Sequence, residues 1–257
     1  MCPYIKVFER EVSCYVLFAG IGMFVSAMVL FELLVEKLLL KKYIKLIASA
    51  FLGLFLGGKL FGIISYTLYL WNQFQYISIS ESIKYSGIVF YGGLLGYIVT
   101  LQLLCKWCKH NFQDISAEIA VCMPLFHSFA RIGCFFTGCC YGKHYTGMLV
   151  VNYRIGFDGV WQQRFPVQIA EAAVEFLLFI ILLKLYHSNK VYIKRCLLHI
   201  YLSFYAVARF VLEFYRGDEV RGFVKGLSFS QCISLAIVCY MTIWCIKRRR
   251  RKEWIKI

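Results

Sequence analysis

Long apolar runs constrain this chain more than any other feature. Seven stretches, near residues 12–35, 44–70, 86–105, 115–138, 167–186, 195–215 and 228–246, are rich in Leu, Ile, Val, Phe and small residues. A helix needs about 20 apolar residues to cross the hydrocarbon of a bilayer. Backbone in lipid must satisfy its own hydrogen bonds, so such runs are helices. The expected fold is therefore all-α, a polytopic membrane protein of about seven transmembrane helices. Of its 257 residues 60% are hydrophobic, and the mean hydropathy is +0.66. A soluble domain is about half apolar. With only three prolines and no Ser/Pro/Gly-rich linker, the chain reads as a single integral membrane domain over residues 1–257. The first run leads into Glu32 without an A-x-A-like site, so it reads as a span rather than a cleaved signal peptide.

The net charge of +15 is gathered in short clusters between the runs. Lys37, Lys41, Lys42 and Lys45 form one. Lys106 with Lys109, Lys190 with Lys194 and Arg195, and the tail from Lys247 to Lys252 form the others. With seven spans all four fall on one side, which the positive-inside rule makes cytoplasmic. The N-terminus is then outside and the C-terminus cytoplasmic. The opposite loops are mixed in sign: Glu81 with Lys84, and Asp218 and Glu219 with Arg221 and Lys225. Clusters of this kind set topology and touch anionic head groups. No soluble basic domain exists to carry nucleic acid, so nucleic acid is not an expected partner.

Ionisable side chains inside a span are costly and mark functional candidates. Followed along alternating spans, they gather at one depth, towards the outer leaflet. Lys59, Arg131, Gln168, Glu171, Glu175, Tyr205, Arg209, Glu213 and Arg216 all fall there, with Tyr91 and the Gly92-Gly93 pair. Tyr205, Arg209 and Glu213 are spaced i, i+4, i+8 on one helix face, with Arg216 three residues on. Gln168, Glu171 and Glu175 are spaced i, i+3, i+7 on another. One helix offers cations and the other carboxylates. Two readings stand: buried ion pairs that fix packing, or a pocket for an anion, for which a phospholipid phosphate is the natural occupant and arginine the natural ligand.

Six segments in order resemble the prolipoprotein diacylglyceryl transferase family, over about residues 53–235. They are FLGGKLFG (55–62), FYGGLLG (90–96), ARIGCFFTGCCYGK (130–143), RFPVQIAEAAVE (164–175), YAVARFVLEFYR (205–216) and GLSFSQCISL (226–235). The resemblance implies a bacterial cytoplasmic-membrane enzyme with a transferase-like core over about 44–246. Its implied donor is an anionic phospholipid such as phosphatidylglycerol. Its implied acceptor is a cysteine thiol beside a lipoprotein signal peptide, or a similar thiol, and its site faces the outer leaflet. No cofactor is implied. Arg131 and Arg209 match the family's essential arginines. Tyr205, Glu213 and Arg216 match positions around the second, and Gly138 and Gly142 fall in the glycine-rich signature.

Three departures stand out. The family's histidine before Gly-Gly is Tyr91 here, and a phenol with pKa near 10 is a weak base at neutral pH. The signature asparagine is Cys134. The family's N-G-E-L is Thr137-Gly138-Cys139-Cys140. His127, one turn before Arg131 on the same face, is a candidate replacement for the lost imidazole.

Cys134, Cys139 and Cys140 admit four readings. They are a covalent relay with a lowered thiol pKa, a disulfide on an oxidising face, a metal site with His144, or small packing residues. C-x4-C-C-x3-H is not a standard zinc spacing, so no metal site is assigned from sequence. Cys105-x-x-Cys108 has no supporting neighbours. The expected function is transfer of a diacylglyceryl or related lipid-derived group. The alternatives are a non-enzymatic phospholipid-binding or scrambling protein that kept the phosphate pocket, and an unrelated seven-helix transporter or receptor. The last leaves the ordered motifs unexplained.

Overall fold

The computed structural model describes residues 3–7, 10–76, 78–154, 161–188, 190–218 and 221–250. Glu219 and the basic tail beyond residue 250 lie outside the described residues. Among the described residues, eight α-helices carry the fold: α1 (Cys14–Glu36), α2 (Leu40–Asn72), α3 (Ile79–Tyr85), α4 (Phe90–Trp107), α5 (Ser116–Thr137), α6 (Val167–Tyr186), α7 (Val191–Leu212) and α8 (Phe229–Arg250). The described residues also form three short antiparallel hairpins: β1 (Tyr4–Val7) with β2 (Arg10–Ser13) ahead of α1, β3 (Val151–Arg154) with β4 (Trp161–Arg164) between α5 and α6, and β5 (Phe223–Val224) with β6 (Leu227–Ser228) between α7 and α8.

Among the described residues, five helices are long and apolar enough to cross a membrane: α1, α2, α5, α7 with its terminal turn, and α8. Their outward faces keep Phe24, Leu52, Phe55, Leu56, Phe204 and Tyr240 exposed, as side chains in contact with lipid would be. The run expected to span over 86–105 is broken. It comprises α3 and α4, bent by 93°, and counting the pair as one span gives six. The break is held by α2. Val89 N–H donates to the Gly58 carbonyl at 3.1 Å, and Lys59 Nζ donates to the Ser86 carbonyl at 2.7 Å. These bonds satisfy backbone groups that leaving the helix would otherwise strand. Helix α6 is set apart from the five by three charged residues, Glu171, Glu175 and Lys184, within its 20 residues.

The chain packs as two compact units. The first comprises residues 1–33, 117–218 and 237–257, and the second residues 34–116 and 219–236. In the second, α2 and α4 cross backbone to backbone. A Cβ on Gly57 would collide with the Gly92 carbonyl oxygen, and one on Gly92 with that of Gly57. Glycine is required at this crossing because any side chain would hold the helices apart. The β5–β6 hairpin is tied to α2 by Asn72 Nδ2 donating to the Phe223 carbonyl at 3.0 Å.

In the first unit, α1 packs on α5, with Phe18 stacked on Phe136 at 5.1 Å. Helices α6 and α7 pack side by side. Tyr186 Oη donates to the fully buried Glu118 at 2.9 Å. Thus a buried carboxylate in the first turn of α5 is matched by a phenol from the end of α6.

Candidate functional site

The first unit brings together side chains from α5, α6 and α7. Helical spacing puts His127 and Arg131 on one face of α5, Gln168, Glu171 and Glu175 on one face of α6, and Tyr205 and Arg209 on one face of α7. Glu213 follows in a 3-10 turn (Glu213–Tyr215) that ends α7. All of these side chains are buried.

Glu171 is the hub. Its Oε1 lies 3.1 Å from Arg131 Nη2, and its Oε2 lies 3.5 Å from Arg209 Nη1. Arg209 Nη2 reaches Glu213 Oε2 at 2.6 Å. Arg131 Nε donates to His127 Nε2 at 3.1 Å, and His127 Nδ1 lies 3.2 Å from Glu175 Oε1. An imidazole that accepts at Nε2 carries its proton on Nδ1, directed at Glu175. His127 thus links Glu175 to Arg131. The Tyr205 ring stands edge-on to His127 at 5.4 Å. Arg131 and Arg209 are thus already matched by the internal carboxylates Glu171 and Glu213.

A second set lies where α5 ends. Gly138 has φ +86°, and the Gly138 and Cys139 N–H groups both donate to the Cys134 carbonyl, at 3.0 and 3.2 Å. This is a glycine-terminated helix end, in which the chain folds back over the last turn. It brings the Cys139 side chain over Cys134. Cys140, itself at φ +56°, turns a third thiol into the group. The three sulfurs lie within 4.8 Å of one another. Hydrogen bonds from the Cys134 and Cys139 thiols, with the charges of Arg216 and Arg131 behind them, hold the Cys140 thiol well below its usual range against the cost of burial. Gln168 Nε2 donates to the Cys139 carbonyl at 2.8 Å and so fastens this loop to α6.

Beyond it, Gly142 pairs with Arg216, and a Cβ on Gly142 would strike the Phe165 carbonyl. Arg216 is held by Asp218 through Nε at 2.8 Å and Nη2 at 2.5 Å. Arg164 Nη1 donates to the Gly142 carbonyl at 2.8 Å, and its guanidinium lies 4.5 Å from the centre of the Tyr141 ring.

Lys59, Tyr91, Gly92 and Gly93 belong to the second unit. There Lys59 braces the α3–α4 break, and Gly92 lies at the helix crossing. Tyr91, 1% exposed, bonds through its hydroxyl to Ser234 Oγ at 2.7 Å. Sequence reasoning placed Glu175 on the α6 stripe, where it is found, but gave no role to Arg164, Asp218 or Ser234. Arg164 and Asp218 matter through loop geometry that spacing does not encode.

The fold and this cluster define a class: a multi-span, all-α membrane protein with an arginine–carboxylate site buried among its helices. Residues 4–247 match the family profile described as prolipoprotein diacylglyceryl transferase. The chain belongs to that family, which is one of transferases. It is 34% identical over 208 residues to a phosphatidylglycerol–prolipoprotein diacylglyceryl transferase of Clostridium tetani, covering 78% of this chain and 79% of the relative. It is 30% identical over 190 residues to such a transferase, number 2, of Clostridium perfringens, covering 71% and 70%. It is also 30% identical over 193 residues to one of Campylobacter curvus, covering 72% and 69%.

Proposed function

We propose that this chain transfers a diacylglyceryl group from phosphatidylglycerol to the cysteine thiol of a lipoprotein precursor, at the outer leaflet of the bacterial cytoplasmic membrane. The observation that carries the reading is the junction of Arg131 and Arg209 on the single carboxylate Glu171. The acceptor thiol releases its proton to water, its thiolate attacks the glyceryl carbon, the carbon–oxygen bond to phosphate breaks, and glycerol phosphate leaves with the electron pair. Charge builds on the departing phosphate, and two arginines fixed beforehand stabilise it without reorganising. Arg131 makes its described contacts through Nε and Nη2, which leaves the rest of its planar fork for a phosphate oxygen.

In this reading Glu171, Glu213 and His127 position the arginines. His127 Nε2 accepts a hydrogen bond from Arg131, so its lone pair is engaged and His127 is assigned to holding Arg131 rather than to taking the acceptor's proton. Gln168, Gly138 and Gly142 shape the adjoining loop, and Arg216 borders it. Seven spans, counting the α3–α4 pair as one and including α6, keep the basic loops together on the cytoplasmic side.

The test supplies phosphatidylglycerol and a cysteine-containing lipobox peptide to purified protein and follows the diacylglyceryl mass shift. A shift abolished by Arg131→Ala and by Arg209→Ala is the expected result. Phosphatidylglycerol bound without any shift would instead identify a lipid-handling protein.

A further inference from the structure

We propose that Cys134, Cys139 and Cys140 form a binding site for one thiophilic metal ion of the zinc type, with a fourth coordination position open. The spacing within the sequence argues against a zinc motif, but the fold supplies what spacing lacks. The glycine-terminated end of α5 places the third residue from the helix end and the second residue beyond it in side-chain contact. Here these are Cys134 and Cys139. The left-handed turn at Cys140 adds the third sulfur. All three sulfurs lie within 4.8 Å of one another. Sulfur ligands at about 2.3 Å from a tetrahedral ion stand about 3.8 Å apart, so rotation about the cysteine side chains closes the set.

The loop is fixed before an ion arrives, since the Cys134 carbonyl takes two backbone N–H groups and Gln168 holds the Cys139 carbonyl. Three thiolates around a divalent ion leave one negative charge in excess. Arg131 and Arg216, whose charges act on Cys140, offset it. Three protein ligands with an open fourth position is the arrangement of catalytic rather than structural zinc. An added thiol binds there as its thiolate and releases its proton to water. No bond to carbon is made or broken in this binding step, and the proposal stands whether or not the transfer reaction does.

The experiment uses the full-length, untagged protein in detergent, reduced with a phosphine and free of added thiols. It is loaded with cobalt(II) as a spectroscopic substitute for zinc and then with zinc. One equivalent of ion is expected, with the sulfur-to-cobalt and ligand-field bands of tetrahedral sulfur ligation. Zinc should displace the cobalt and shield three thiols from alkylation, mapped by mass spectrometry to Cys134, Cys139 and Cys140. A Cys108→Ser/Cys239→Ser/Cys245→Ser variant, which alters exposed cysteines elsewhere, should bind the same amount. Cys134→Ser, Cys139→Ser and Cys140→Ser variants that remain monodisperse should each lose the bands. A cysteine-containing peptide should shift them.

Failure to bind with all three thiols reduced would overturn the site. So would unchanged binding in the three variants, or a disulfide among these cysteines in protein purified under argon. A peptide that leaves the bands of bound cobalt unchanged would overturn the open position.

Discussion

Replacing Glu171 with glutamine tests whether the arginines work because that carboxylate holds them. At separations of 3.1 and 3.5 Å and an effective dielectric near 20, each ion pair has a gross attraction of about 5 kcal/mol. Desolvation offsets most of this, and removing one partner of a buried pair typically costs about 3–5 kcal/mol net. Glutamine keeps the shape and one acceptor oxygen, and Arg209 keeps Glu213 at 2.6 Å, so the lower end, about 3 kcal/mol, applies. If that energy is what sets Arg131 and Arg209 for the departing phosphate, its loss slows transfer by about 100-fold. The cluster also loses one negative charge, so phosphatidylglycerol should bind as tightly as before or more tightly. The assay pairs the initial rate of the peptide mass shift with a phosphatidylglycerol binding isotherm. A Glu171→Gln protein that turns over as fast as the parent would refute the reasoning, because the arginines would then need no internal anion to place them.

Three further outcomes follow from the same geometry. His127→Gln should lower the rate by about tenfold, the cost of about one hydrogen bond to a charged group, and leave the shape of the pH–rate profile unchanged. Loss of a limb of that profile would make His127 a proton acceptor. Tyr91→Phe removes the bond to Ser234 and should cost about 1 kcal/mol of stability, read as a lower unfolding temperature, with transfer nearly unaltered. A collapse in rate at normal stability would put the phenol in the chemistry. Gly57→Val forces a side chain into the Gly92 carbonyl. It should sharply reduce the yield of monodisperse protein, whereas Gly20→Val, where a Cβ meets nothing within 4 Å, should not.

The apolar runs made most of the fold legible, because a bilayer admits few backbone solutions. Six of the seven runs correspond to single helices, α1, α2, α5, α6, α7 and α8. The exception, residues 86–105, is instructive. Hydropathy sums over a window and does not register that Ser86–Val89 leave the helix. What permits the break is a pair of bonds to α2 from Val89 N–H and to the Ser86 carbonyl. Those partners lie about 30 residues away in sequence, and no local pattern announces them.

The charge stripes were readable for the same reason that helices are regular: spacing fixes which side chains share a face, and Arg131, Glu171 and Arg209 do meet. Spacing does not fix stoichiometry. Read singly, the buried arginines suggested spare positive charge waiting for a phosphate. In the fold, Glu171 lies between both and Glu213 binds the second. The cost of burying each cation is thereby met before any lipid arrives. A site built this way has a consequence for catalysis. A phosphate that bound strongly in the ground state would have to displace Glu171, losing about what it gained. The partial charge that develops only as the carbon–oxygen bond breaks can instead be met by donors already in place. That difference between ground and transition state, rather than net positive charge, is what accelerates a reaction.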